Sequence, residues 1–64
     1  MKKITEQEIS LEKQLLEKMQ ELRDWADQRD YDQTYYEIDD MVRRQKQLID
    51  RLNHYKRIEE EAAA

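Results

Sequence analysis

A mainly apolar heptad repeat runs without interruption through the second half of the chain. Its positions alternate in spacings of four and three, and they are Thr34, Ile38, Met41, Gln45, Leu48, Leu52 and Tyr55. This spacing places all members on one face of an α-helix, as in helices that pack lengthwise against other helices. The repeat therefore predicts an α-helix that is built to pack against further helices.

Composition narrows the fold class. The 64 residues are enough for one small domain, and the chain contains no Gly, Pro or Cys. Without Gly and Pro it lacks the usual turn residues of β-hairpins and phosphate-binding loops. Without Cys it has no disulfide or thiolate metal ligand, which fits a reducing cytosol. No apolar run is long enough to span a membrane, and no signal peptide is visible. From these features together we expect an all-α, cytoplasmic protein.

The first half of the chain carries its own helix signals. Thr5 and Glu8 have the spacing of a capping box, and Ile4 and Ile9 have the spacing of a hydrophobic staple around it. The staple accounts for Ile9, which lies off the main apolar stripe. The stripe continues through Leu11, Leu15, Met19, Leu22, Trp25 and Ala26, and Leu16 widens it.

The two apolar stripes are out of phase. The heptad positions of the second are displaced by two residues from those of the first, which is more than a quarter turn of helix. The shift accumulates between Asp27 and Gln33, where Asp30, Asp32 or Thr34 could cap a new helix. We therefore predict a two-helix antiparallel hairpin, with helices over about residues 5–28 and 34–60 and a connection over about 29–33. The alternative is one long continuous helix with a local stutter, forming a coiled coil. Residues 62–64 match a cloning scar and are left out of the functional interpretation.

Both stripes are broader than a two-helix contact needs, because Leu16, Val42 and Ile49 widen them beyond the heptad positions. A lone hairpin would leave apolar side chains in water, so we expect dimerisation, or a higher homo-oligomer, most simply as a four-helix bundle. Alternatively, a groove or helix of another protein could bury these apolar side chains. The predicted oligomer seam consists of Leu11, Leu15, Leu22, Ile38, Met41, Gln45, Leu48, Leu52 and Tyr55. Within it, Gln45 is predicted to set the register by bonding its symmetry mate or a backbone group.

No constellation of side chains points to catalysis. His54, the single histidine, lies almost opposite the seam, and Arg51 stands where a di-iron bundle would need Glu. We also expect no Glu on the apolar face of either helix. The sequence therefore predicts neither catalytic residues nor a metal or cofactor site.

Charge is segregated along the chain. Residues 24–40 carry seven acidic residues and one basic residue, Arg29, whereas residues 41–58 carry six basic residues and one acidic residue, Asp50. Ion pairs of the i,i+4 type, Asp39 with Arg43 and Asp40 with Arg44, account for part of this pattern. The remaining acidic residues gather with aromatic ones at the expected turn, where Trp25 and Tyr35 are predicted to close the core. The candidate partner-binding tip consists of Asp24, Asp27, Asp30, Tyr31, Asp32, Tyr36 and Glu37.

These features favour a small non-enzymatic protein-interaction module that self-associates and binds or regulates a second protein, as a regulator, adaptor or phage-type inhibitor. An alternative is an acidic nucleic-acid mimic that inhibits a DNA- or RNA-binding protein. In length and expected architecture the chain is similar to the plasmid copy-number regulator Rop, which implies a third alternative, an RNA-binding hairpin dimer. The two share no motif, so the resemblance assigns no residues. The net charge of −4 disfavours direct contact with nucleic acid.

Overall fold

The chain folds as an α-helical hairpin. The computed structural model describes residues 3–63, in which α1 spans Glu6–Gln28, α2 spans Asp32–Ala63, and no strand is present. The two helices pack lengthwise and give the hairpin dimensions of 51 × 16 × 15 Å. The predicted hairpin is confirmed, and the alternative of one continuous helix is wrong. Helix α2 continues through Ala62 and Ala63, while Ala64, the last residue of the suspected cloning scar, lies outside the described residues.

Helix α1 begins at the predicted capping box. The Glu8 backbone N–H donates to Thr5 Oγ1 at 3.1 Å, and the Thr5 backbone N–H donates to Glu8 Oε2 at 3.0 Å. Two N–H groups at the helix start are thereby satisfied without help from the rest of the chain. The start of α1 is thus encoded locally.

The connection is shorter than predicted and reverses the chain without glycine. It comprises Arg29, Asp30 and Tyr31, so α2 begins two residues earlier than expected. The Asp30 N–H donates to the Asp27 carbonyl at 3.1 Å, and the Tyr31 N–H donates to the Ala26 carbonyl at 2.9 Å. This pair of bonds is the Schellman arrangement, in which the residue after the cap takes a left-handed conformation. That residue is Asp30, with φ of 58°.

Asp30 is therefore expected to be suboptimal for stability. Asp tolerates a left-handed conformation better than most residues, but Gly adopts it without a Cβ clash. Replacing Asp30 with Gly should raise the free energy of unfolding by roughly 0.5–1 kcal/mol, measured by thermal melting at fixed protein concentration. The same substitution at Asp50, inside α2, should lower it by a few tenths of a kcal/mol. A lower stability of the Asp30→Gly variant would contradict the turn described here.

The core is small and lies towards the tip. Its buried side chains belong to Ala26, Ile38 and Val42, and Leu16, Met19 and Tyr35 pack against them. Ile9 and Ile49 are also buried, nearer the open end of the hairpin. Two assignments from the sequence are corrected here. Ile9 was attributed to a staple outside the stripe, but it is a core residue that is 5% exposed. Val42 was treated as widening the stripe, but it lies within the core and is 1% exposed.

Polar contacts cross between the helices at intervals and fix their register. Gln45, 7% exposed, donates through Nε2 to the Glu12 carbonyl at 2.9 Å and to the Glu12 carboxylate. Nearer the tip, Arg23 Nη1 donates to Asp39 Oδ1 at 2.8 Å, and at the open end Glu59 Oε2 accepts from the Ile4 N–H at 3.0 Å. The predicted role of Gln45 in binding a backbone group is confirmed. The expectation of no Glu on the apolar faces is wrong, because Glu12 and Glu59 both reach across the helix contact.

Candidate interaction surfaces

Several large apolar side chains lie outside the core. The most regular set is formed by Leu11, Leu15, Leu22, Met41, Leu48 and Tyr55, which we call the apolar face. All of these except Leu48 are between 46% and 55% exposed, and Leu48 is half-buried. The hairpin thus folds around only part of its apolar surface.

The apolar face is continuous across the two helices. At about 100° per residue, the exposed leucines of α1 lie roughly 90° from its buried residues, and Met41, Leu48 and Tyr55 lie roughly 90° from those of α2. Both rows of exposed side chains are offset from the buried residues in the same rotational sense. In an antiparallel pair, this places the two rows on the same broad side of the hairpin. The contact of Gln45 with Glu12 brings Leu11 near the level of Leu48, and the contact of Arg23 with Asp39 brings Leu22 near the level of Met41.

The opposite side of the hairpin is polar. Its exposed residues include Ser10, Lys13, Glu17 and Asp24 from α1, and Lys46, Asn53 and Arg57 from α2. The molecule therefore has one apolar and one polar broad side, with the core between the helices.

The structure divides the predicted oligomer seam into two sets. Ile38 and Gln45 are buried between the helices of the hairpin itself, and Leu48 and Leu52 are half-buried at its edge. The remaining five seam residues belong to the exposed part of the apolar face. Ile58, 47% exposed, was not predicted, because it falls one residue short of the next heptad position, which is Glu59.

Aromatic residues at the tip have a structural role in the turn. The rings of Trp25 and Tyr31 meet edge to face with centroids 5.5 Å apart, and the Arg29 guanidinium lies 4.9 Å from the Trp25 ring centroid. A contact between these two positions commonly accompanies a Schellman turn. Trp25 nevertheless remains 43% exposed and Tyr31 47%, so both rings also present surface to solvent.

All seven residues of the predicted tip are exposed, but they do not form one aromatic cluster. Tyr31 pairs with Trp25, whereas Tyr36, 70% exposed, pairs with Tyr35 at 5.6 Å. Within residues 3–63, the carboxylates of Asp24, Asp27, Asp30 and Asp32 have no hydrogen-bond or ion-pair partner, and Glu37 bonds Gln33 at 3.4 Å. The tip therefore combines unneutralised negative charge with two separate aromatic pairs.

Many of the basic side chains of α2 are engaged within the chain. Both predicted i,i+4 pairs are confirmed, with Arg43 3.1 Å from Asp39 and Arg44 2.7 Å from Asp40. Lys56, whose side chain is 19% exposed, hydrogen-bonds Glu60 and lies 3.6 Å from Glu6. The hydrogen bond that Lys56 donates to Glu60, aided by the nearby charge of Glu6, raises the pKa of Lys56 above its usual value despite partial desolvation. These pairs reduce the positive charge that α2 can offer to a polyanion.

His54 lies at the surface near the open end. Its ring is 5.9 Å from that of Tyr55, and it lines an open depression with Asp50, Asn53 and Arg57. No group of three or more His, Asp or Glu side chains is placed to hold a metal ion in the part of the chain that the structure describes.

Neither helix, over its described length, is apolar enough to cross a membrane. Comparison with protein-family models, curated proteins and solved structures gives no match.

Proposed function

We propose that the protein is a small non-enzymatic interaction module, which self-associates and binds or regulates a second protein. The observation that carries this proposal is the apolar face. Five large side chains about half exposed on one side of so small a hairpin are unusual for a surface that meets only water. A rim of charged residues beside such a face is the usual arrangement of an interaction surface.

The tip is the proposed contact for the second protein. Tyr and Trp are enriched among residues that dominate binding energy, since they offer rigid apolar area together with a polar group. Tyr31 at the end of the connection and Tyr36 four residues into α2 meet this description, and the unpaired carboxylates of Asp30 and Asp32 lie close to Tyr31 in the chain. A partner with basic and apolar groups would complement this surface.

The tip can be tested without disturbing the core. The double variant Tyr31→Ala, Tyr36→Ala should keep the hairpin fold by circular dichroism and lose partner proteins that the unaltered chain retains. The measurement is mass spectrometry of proteins held by each immobilised chain after incubation with the same lysate. A matched control is His54→Ala, which removes an exposed ring outside both the tip and the apolar face. Identical retention by the double variant and the unaltered chain would contradict a role for the tip.

An acidic nucleic-acid mimic is the second candidate, and the unneutralised carboxylates of the tip favour it. Mimicry would make binding to a basic protein mainly electrostatic. Such binding should collapse between about 0.1 M and 1 M salt, where the Debye length falls from about 10 Å to about 3 Å. Binding that persists at high salt supports apolar anchoring and the leading proposal.

Direct RNA binding in the manner of Rop is the weakest of the three proposals. Arg43 and Arg44 are neutralised by Asp39 and Asp40 on their own helix, and the whole chain is acidic. Retention on heparin at low salt would support RNA binding, and its absence would dismiss it.

A further inference from the structure

We infer that the apolar face is covered by a second copy of this chain, and that the hairpin needs this copy in order to stay folded. The inference rests on the proposed function and specifies one part of it: the occupant of the face and its effect on the fold. Four observations lead to it: the amount of surface left open, the small core, the polar groups within the helix contact, and the shape of the face.

The hairpin exposes more surface than a compact protein of its size. Its accessible surface is 5450 Å². A monomeric protein of 8.0 kDa is expected to expose about 4,450 Å². The excess, about 1,000 Å², is close to the roughly 800 Å² that each partner contributes to a stable protein interface. The elongated shape of the hairpin, 51 × 16 × 15 Å, contributes to this excess, and pairing two hairpins side by side would reduce it.

The core inside the hairpin is too small to be the main source of stability. Among the described residues, the buried apolar ones are Ile9, Ala26, Ile38, Val42 and Ile49, and of these only Val42 is a large side chain below 2% exposure. Domains of this size are marginal even with a complete core. Part of the helix contact is polar as well, because Gln45 is buried there and Lys56 reaches into it at the open end. A second source of burial is therefore required, and the apolar face provides it.

The shape of the face favours a copy of the same chain over a single foreign helix. It is two helices wide, with Leu11, Leu15 and Leu22 on one and Met41, Leu48 and Tyr55 on the other. One helix seated in the groove would cover the inner edges of both rows and leave their outer edges wet. A second hairpin is also two helices wide, and two-fold pairing needs only that the face be complementary to itself. Apolar rows of Leu, Met and Tyr satisfy this condition, and the result is a four-helix bundle.

The first test is a dilution series measured by light scattering and circular dichroism on the same samples. We expect a species of about 16 kDa, twice the mass of one chain, whose helix content falls together with its mass on dilution. A monomer that remains helical and melts cooperatively would overturn the inference, and so would a helical assembly larger than two chains. Neither result would remove the proposed tip, because the lysate experiment on Tyr31 and Tyr36 is independent of it.

The second test locates the interface. In a mixture of carbon-13-labelled and unlabelled chains, isotope-filtered spectra should show contacts between chains from methyl groups of Leu11, Leu15, Leu22 and Met41. A two-chain species without such contacts would place the interface elsewhere and overturn the inference.

Substitutions give a third, matched readout. Leu15→Asp should weaken assembly by at least about 30-fold, the effect expected when a residue that dominates an interface is lost. Gln14→Asp introduces the same charge one residue away, at an exposed position outside both the core and the face, and should leave assembly unchanged. Equal assembly of the two variants would contradict the assigned face.

Discussion

Val42→Asp is expected to unfold the protein at every accessible concentration. Val42 is 1% exposed and packs at the centre of the core between Ala26 and Ile38. An aspartate there would be ionised without a partner or else protonated at a cost, and either outcome destabilises the fold by at least about 3 kcal/mol. A domain of this size has little stability to lose. Far-ultraviolet circular dichroism should therefore show loss of helix at room temperature.

Gln47 supplies the matched control for this experiment. It lies on the same helix and is exposed, and Gln47→Asp makes the same change from a neutral to a negative side chain. This variant should melt close to the unaltered protein, since surface substitutions usually change stability by no more than about 0.5 kcal/mol. If Val42→Asp retained its helix content, the core assignment would be wrong.

Gln45→Glu should make stability strongly dependent on pH. The substitution places a second carboxylate against that of Glu12, in a buried position where Gln45 now donates a hydrogen bond. Burial and the like charge both raise the pKa of the new carboxyl in the folded state. The folded state then binds a proton more tightly than the unfolded state does, so stability relative to the unaltered protein falls as pH rises. This loss of stability relative to the unaltered protein should be absent below about pH 4.3, the usual pKa of Glu. It should reach about 2 kcal/mol or more near neutral pH.

The comparison variant is Gln45→Leu. It removes the same hydrogen bonds without adding charge, and replacing a buried polar group by an apolar one of similar size is often neutral or stabilising. Thermal melts across pH 4 to 8, a range around the carboxyl and histidine pKa values, should show a constant difference between this variant and the unaltered protein. A Gln45→Glu protein as stable as the unaltered chain at neutral pH would show that Gln45 is not enclosed between the helices.

The features that the sequence predicted correctly are those encoded over a few neighbouring residues. The capping box of Thr5 and Glu8 and the i,i+4 pair of Asp40 and Arg44 each depend on one turn of helix. The hairpin itself followed from a phase shift between two stripes, because a straight helix cannot turn both towards one neighbour. The length of the turn was misjudged because Asp30 occupies a position where the usual signal is Gly.

The sequence could not show which side of each broad stripe would be buried within the hairpin. Leu15 and Leu16 are adjacent and equally apolar, yet Leu16 packs against the core and Leu15 is exposed. Periodicity shows that a face is apolar but does not identify its neighbour. The position of Glu12 was missed for a related reason. A charged residue is normally assigned to solvent, and its contact with Gln45 depends on a residue 33 positions later in the chain. The predicted tip residues are all exposed, but the separation of Tyr31 from Tyr36 depends on how the turn is closed.

The turn at Asp30 has a consequence for the order of events in folding. Only three residues separate the helices, so bringing their near ends together costs little chain entropy. Contacts such as that of Arg23 with Asp39 then form across a short loop. Each contact already formed shortens the loop that the next contact, nearer the open end, has to close. Chains dominated by such sequential closures fold within microseconds to milliseconds. In the proposed dimer, the encounter between two chains depends on their concentration, so at low concentration this encounter would become the slow step. Refolding monitored by helix content should therefore show a rate that increases with protein concentration.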